Sequence, residues 1–175
     1  MPRSDSRVLL GVVAAMALSA LGTVGGAQGT GKSTGAAAGG TATGQFIVNG
    51  KSATFVSAVV KATKDSFDST KTGYTLVLSD VKGLPDKYGS LDKVTAGQLH
   101  FIEVTLGHDK SVYGAMLHHN GFKGNTMSSA GSIKLEAEKF GPDVLAGKVY
   151  MAARTFEGAT YQFTATFSAP VEKEK

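Results

Sequence analysis

The stretch "LAGKVYMAARTFEGATYQFTATFSAPV", Leu145 to Val171, decides the fold. Two runs of alternating apolar and polar residues flank Glu157, Gly158 and Ala159, a join short enough to force an antiparallel hairpin. Pairing Met151 with Phe163, Val149 with Ala165 and Gly147 with Phe167 gathers Tyr161, Phe163 and Phe167 on one apolar strip. Gln162, Thr164, Thr166 and Ser168 then face water. A slip by one residue would exchange the two faces, so burial selects this register. Gly147, opposite Phe167, is expected to leave room for the ring.

Working outward, the same period of two recurs in Gly44–Asn49, Ser52–Thr63, Gly73–Val81, Gln98–Gly107, Ser111–Asn120, Met127–Glu138, Val144–Thr155 and Ala159–Val171. Asn49-Gly50 and His108 to Lys110 are further short joins that force neighbouring runs to pair. One segment, Leu84 to Gly97, places Leu84, Tyr88, Leu91 and Val94 at helical spacing, interrupted at Gly89. The expected fold is all-β: an antiparallel sandwich or up-and-down barrel of about eight strands with one short helical insertion. Alternation alone leaves sandwich and barrel open.

The N-terminus has the layout of a secretory signal. Arg3 and Arg7 precede an apolar run from Val8 to Val24, and small residues follow to Ala27. The expected organisation is a signal peptide at 1–27, a flexible Gly/Thr/Ala-rich linker at 28–43, one β domain at 44–171 and a charged tail at 172–175. Export to the periplasm or the medium follows, with no membrane span left after cleavage. "GAQGTGKST", Gly26 to Thr34, fits the phosphate-loop pattern through Gly26, Gly31, Lys32 and Ser33. That loop needs a strand before it and a helix after it, whereas here a leader precedes and "TGAAAGGTATG" follows, so the stretch reads as linker.

The chain has no cysteine, which excludes thiolate zinc sites, iron–sulfur ligation and thiol nucleophiles. The pI near 9.2 is mildly basic, but the lysines are scattered from Lys51 to Lys175 without an aromatic-and-basic recognition motif. A nucleic-acid partner is therefore not expected, and no residue pattern calls for a cofactor.

Chemistry-bearing candidates are few. Extending the burial argument to the middle hairpin pairs Leu106 with Val112, Val104 with Gly114, Ile102 with Met116 and His100 with His118. His100 and His118 are thus candidate metal ligands, although no third ligand is placed. His119 would face away unless a bulge intervened. "LHHNGFKGN", Leu117 to Asn125, enters a glycine-rich loop that could hold out Phe122 and Lys123, which with His118 and Tyr113 form the candidate ligand-binding set. The alternative for Phe122 is that it folds back over the core edge. The carboxylates Asp80, Glu103, Glu136, Glu138, Asp143 and Glu157 form no evident acid/base pair, and "KDSFDSTKTG", Lys64 to Gly73, reads as a polar connection.

The segments "ATGQFIVNGKSA", "GAMLHHNGFKGN" and the closing hairpin together resemble a type of small exported bacterial β domain of uncharacterised activity. The likeness covers nearly all of the chain after the leader, through residues such as Asn49, Gly50, Gly147, Tyr161, Phe167 and Pro170. It implies the fold and an envelope location, and no activity. With no catalytic set assembled, the expected function is a non-catalytic binding or interaction module of the cell envelope, for an envelope protein, a glycan or a small apolar ligand. The alternatives are a lipocalin-like carrier of a small apolar ligand, or a metal-dependent hydrolase using His100 and His118.

Overall fold

The computed structural model describes residues 39–83 and 90–173. The expected signal peptide, most of the expected linker with its phosphate-loop match, and the first part of the expected helical segment lie outside the described residues. The elements are β1 (Gly40–Val48), β2 (Lys51–Lys64), β3 (Thr72–Ser79), α1 (Ser90–Thr95), β4 (Phe101–Leu106), β5 (Val112–His118), β6 (Thr126–Ser129), β7 (Lys134–Phe140), β8 (Val144–Phe156) and β9 (Ala159–Glu172).

The closing hairpin forms in the register that burial demands: Met151 opposes Phe163, Val149 opposes Ala165 and Gly147 opposes Phe167. In β9, Tyr161, Phe163, Ala165, Phe167 and Ala169 are buried while the residues between them are exposed. Asn49 and Gly50 both adopt positive φ, 51° and 79°, as the two-residue turn between β1 and β2 requires.

The strands make one antiparallel nine-stranded sheet in the order β6-β5-β4-β3-β2-β1-β9-β8-β7. The first and last strands pair, yet the sheet is not a closed barrel, because the ladder is interrupted between β6 and β7. It curls over in the manner of a sandwich. Tyr74 of β3 meets Phe140 of β7 edge-on at 5.2 Å between ring centres, and Ser129 of β6 donates a hydrogen bond to the Met151 sulfur of β8. The space between is filled by Phe46, Phe55, Leu76, Leu78, Ile102, Leu117, Phe163 and Phe167, all buried. Beyond the start of β1, β2 and β9 meet directly in a short parallel pairing of Val60 with Val171 and Lys61 with Glu172. The two free edges are protected, one by brevity and the other by charge. β6 has four residues, and β7 carries Lys134, Glu136, Glu138 and Lys139.

Several expectations change. Met127–Glu138 is not one strand: Gly131, at φ 76°, breaks it into β6 and β7, which gives nine strands. The sheet starts before Gly44, since Thr41, Ala42 and Thr43 pair with Ser168, Phe167 and Thr166, so these residues are strand and not linker. Glu172 likewise belongs to β9 and not to a tail. Gly147 does not serve Phe167: its φ is 151°, and an added Cβ would collide with the Glu136 carbonyl oxygen of β7.

The middle hairpin differs most. Leu106 opposes Val112 as expected, but the pairing then shifts, so that Thr105 opposes Gly114, Val104 opposes Ala115, Ile102 opposes Leu117 and Phe101 opposes His118. Tyr113 is the extra residue, a bulge next to a turn that Lys110 closes at φ 71°. Every side chain beyond it changes face. His118 therefore lies on the outer surface, and His119 points into the core end. On that outer surface α1 packs its Val94 against Val77, Leu99 and Phe101 in a small second cluster. No helix among the described residues is long and apolar enough to cross a membrane.

Candidate functional site

At the end of the sheet where β2 turns into β3 and β4 into β5, one carboxylate organises both loops. The Asp65 side chain is completely shielded from solvent. Its Oδ1 accepts the backbone N–H groups of Phe67 at 2.9 Å and Asp68 at 3.1 Å. Its Oδ2 accepts the backbone N–H of His108 at 2.7 Å and the His108 ring Nδ1–H at 2.9 Å. The Tyr113 hydroxyl, aimed inward from the bulge, donates at 3.1 Å. A buried anion is tolerable only with such a shell of donors. The His108 backbone N–H, then that of Phe67, hold the Asp65 carboxyl well below the usual carboxylate range, while burial and the Asp65 charge raise the Tyr113 phenol.

The result is a fixed platform. Phe67 is 83% exposed although it sits on this pinned loop, and it meets the Tyr113 ring edge-on at 4.6 Å. Thr70 braces the same loop by donating its hydroxyl and its N–H to Asp68. Beside the platform a groove of about 530 Å³ runs over the outer face of β4, β5 and β6, lined by Ser66, Glu103, Thr105, Tyr113, Met116 and Ser128 among others. Met116 adds a partly exposed apolar floor.

Asp65→Asn tests the hub. Asparagine keeps one acceptor oxygen and turns an NH2 group toward N–H donors, so two or more bonds are lost. The contribution of a carboxylate with a depressed folded pKa is complete above its unfolded value of 3.8 and disappears as pH falls below it. Thermal melts should therefore show Asp65→Asn well below the wild type at neutral pH, with the gap narrowing only below the ordinary carboxylate range.

The other three histidines lie at the opposite end, where β3 leaves the sheet and β4 enters it. His100 is held by Asp80, which accepts its backbone N–H at 2.8 Å and its ring Nδ1–H at 2.6 Å. Its neighbour is His119, not His118: the ring centres are 4.3 Å apart. His119 is 1% exposed, accepts the Gly121 N–H at Nδ1 at 2.9 Å, and has no hydrogen-bond partner for Nε2. Burial first, and then His100, depress its pKa to about 4.

Of the residues singled out in the sequence, the structure places Tyr113 in the Asp65 hub and separates the others. His118 stacks on Phe101 at 4.0 Å on the outer face and is within reach of Thr126, so His100 and His118 do not form a metal-binding pair. Among the described residues no three His, Asp or Glu side chains gather as a metal site. Phe122 is buried against Tyr161 and Phe46, so it is not a surface contact, whereas its neighbour Lys123 is exposed. Phe67 and Asp65 were hidden in a segment that reads as a polar connection. The signal there is an Asp whose side chain caps the N–H groups two and three residues on, with an aromatic between.

Comparison with protein-family models, with curated proteins and with solved structures finds no match to this chain.

Proposed function

We propose that the chain is an exported, non-catalytic binding module of a bacterial cell envelope, holding its partner on the Phe67–Tyr113 platform and the adjoining groove. The observation that supports this is the exposure of Phe67 on a loop pinned by a buried carboxylate. A large apolar ring in water gains nothing for the fold. A ring already fixed in place loses little conformational freedom on association, which favours aromatic anchors at interfaces. Glu103, Thr105 and Ser128 beside it supply polar groups to orient a protein or glycan. A carrier role draws no support from the interior, which the aromatic rings fill.

The test places a photo-cross-linking phenylalanine analogue at Phe67 in the producing organism. One discrete adduct is expected from this position and none from an exposed position elsewhere on the sheet, such as Thr166 of β9. With that partner purified, Phe67→Ala should weaken binding at least about tenfold, roughly 1.4 kcal/mol, with an unchanged melting temperature because the ring is exposed. Absence of an adduct at Phe67, or unaltered affinity in Phe67→Ala, would refute the proposal. The N-terminal sequence of the protein recovered from its native location tests export separately.

A further inference from the structure

We propose that the loop from His119 to Asn125 is an acid-released gate over one end of the core, with His119 as its latch and Phe122 as its stopper, and that release uncovers a site for a small apolar molecule among Phe46, Tyr161 and Phe163. This lies at the other end of the molecule from the platform and does not depend on it.

The latch follows from the placement of protons. Because Nδ1 of His119 accepts the Gly121 N–H, the neutral ring carries its proton on Nε2, where it has no partner. A second proton can enter only at Nδ1, which would then face the Gly121 N–H donor to donor. The resulting cation would be 1% exposed, beside the His100 ring and within the field of Lys51. Among the described residues Asp80 is the one carboxylate that favours it, and both Asp80 oxygens are already engaged by His100. The protonated ring is accommodated by leaving the core end.

The loop is built to move as a unit. It is closed on itself by His119 N–H to the Asn125 carbonyl, Phe122 N–H to the His119 carbonyl and Asn125 N–H to the Phe122 carbonyl. Its ties outward run through side chains: Asn49 Nδ2 to the Gly121 carbonyl at 3.1 Å, Asn125 Nδ2 to the Thr95 hydroxyl at 2.9 Å, and a longer contact of the His100 ring Nε2 with Asn120 Oδ1 at 3.4 Å. Phe122 stands edge-on to Tyr161 at 5.3 Å and 6.1 Å from Phe46, so its departure exposes an aromatic-lined end. A histidine depressed from 6.5 to about 4 when closed raises the open-to-closed ratio by up to tenfold per pH unit between those values. Asp65 remains ionised throughout, so the other end of the sheet stays tied.

The test is amide hydrogen exchange, corrected for the intrinsic rate at each pH. In the wild type, protection at Gly121, whose N–H bonds to the His119 ring, should fall by up to tenfold per pH unit below 6.5, while protection at Val149 and Phe163 stays level. Binding of the apolar probe anilinonaphthalene sulfonate should rise over the same interval. His119→Asn, which offers Gly121 an acceptor that does not titrate, should show neither change, and its protected sheet amides report that it folds. A wild type without the slope, an equal slope in His119→Asn, or simultaneous loss of protection at Val149 and Phe163 would each overturn the gate. Local opening without probe binding would overturn the ligand site.

Discussion

Phe122→Ala is expected to cost about 3 to 5 kcal/mol of stability, the range for emptying a buried aromatic position. The ring is 4% exposed and contacts elements far apart in the chain, Phe46 of β1 and Tyr161 of β9, while its own loop follows β5. The residues around it are strand-bound, so they cannot collapse into the space. Lys123, its exposed neighbour, supplies the control: Lys123→Ala should change stability by no more than about 0.5 kcal/mol. Denaturant midpoints for the two variants separate a core stopper from a pair of surface contacts. Similar midpoints would show that Phe122 contributes no core packing.

Gly147→Ala is the second large effect, expected at about 3 kcal/mol or more. At φ 151° an L side chain is strained wherever it points, and here the added Cβ meets the Glu136 carbonyl oxygen and lies 2.9 Å from the Ala137 Cα. Both obstacles are backbone, so no rotamer change relieves them. The neighbouring bulge in β7, between Ala137 and Lys139, marks the place where the two strands come close. The strain should release by detaching β7, so exchange protection should vanish first over Lys134–Phe140 and persist in β9. Uniform loss across the sheet, or none, would contradict this account.

The closing hairpin was legible because its two faces differ without ambiguity. Tyr, Phe, Ala, Phe and Ala alternate with Gln, Thr, Thr and Ser, and only one register buries the first set. The middle hairpin was not, because "GAMLHH" carries apolar residues at both parities, so burial tolerates either register. The choice is made by the turn, where Lys110 takes a positive φ that glycine usually marks, and Tyr113 is forced out of step. That one residue decides which histidine enters the core. The expected facing of His100 and His118 fails for this reason, and His119 is the residue beside His100. The Asp65 hub depends on donors from residues 43 and 48 positions away, a proximity that local pattern does not encode.

The position of the first and last strands carries a kinetic consequence. β1 and β9 adjoin each other inside the strand order, sixth and seventh of nine, so an interior ladder of the sheet joins the two strands farthest apart in the chain. A ribosome-bound polypeptide lacks this pairing until β9 has been made, and loop closure across the intervening strands delays folding toward the slow end for β proteins. The sheet gains its continuity last, when β9 closes on β1.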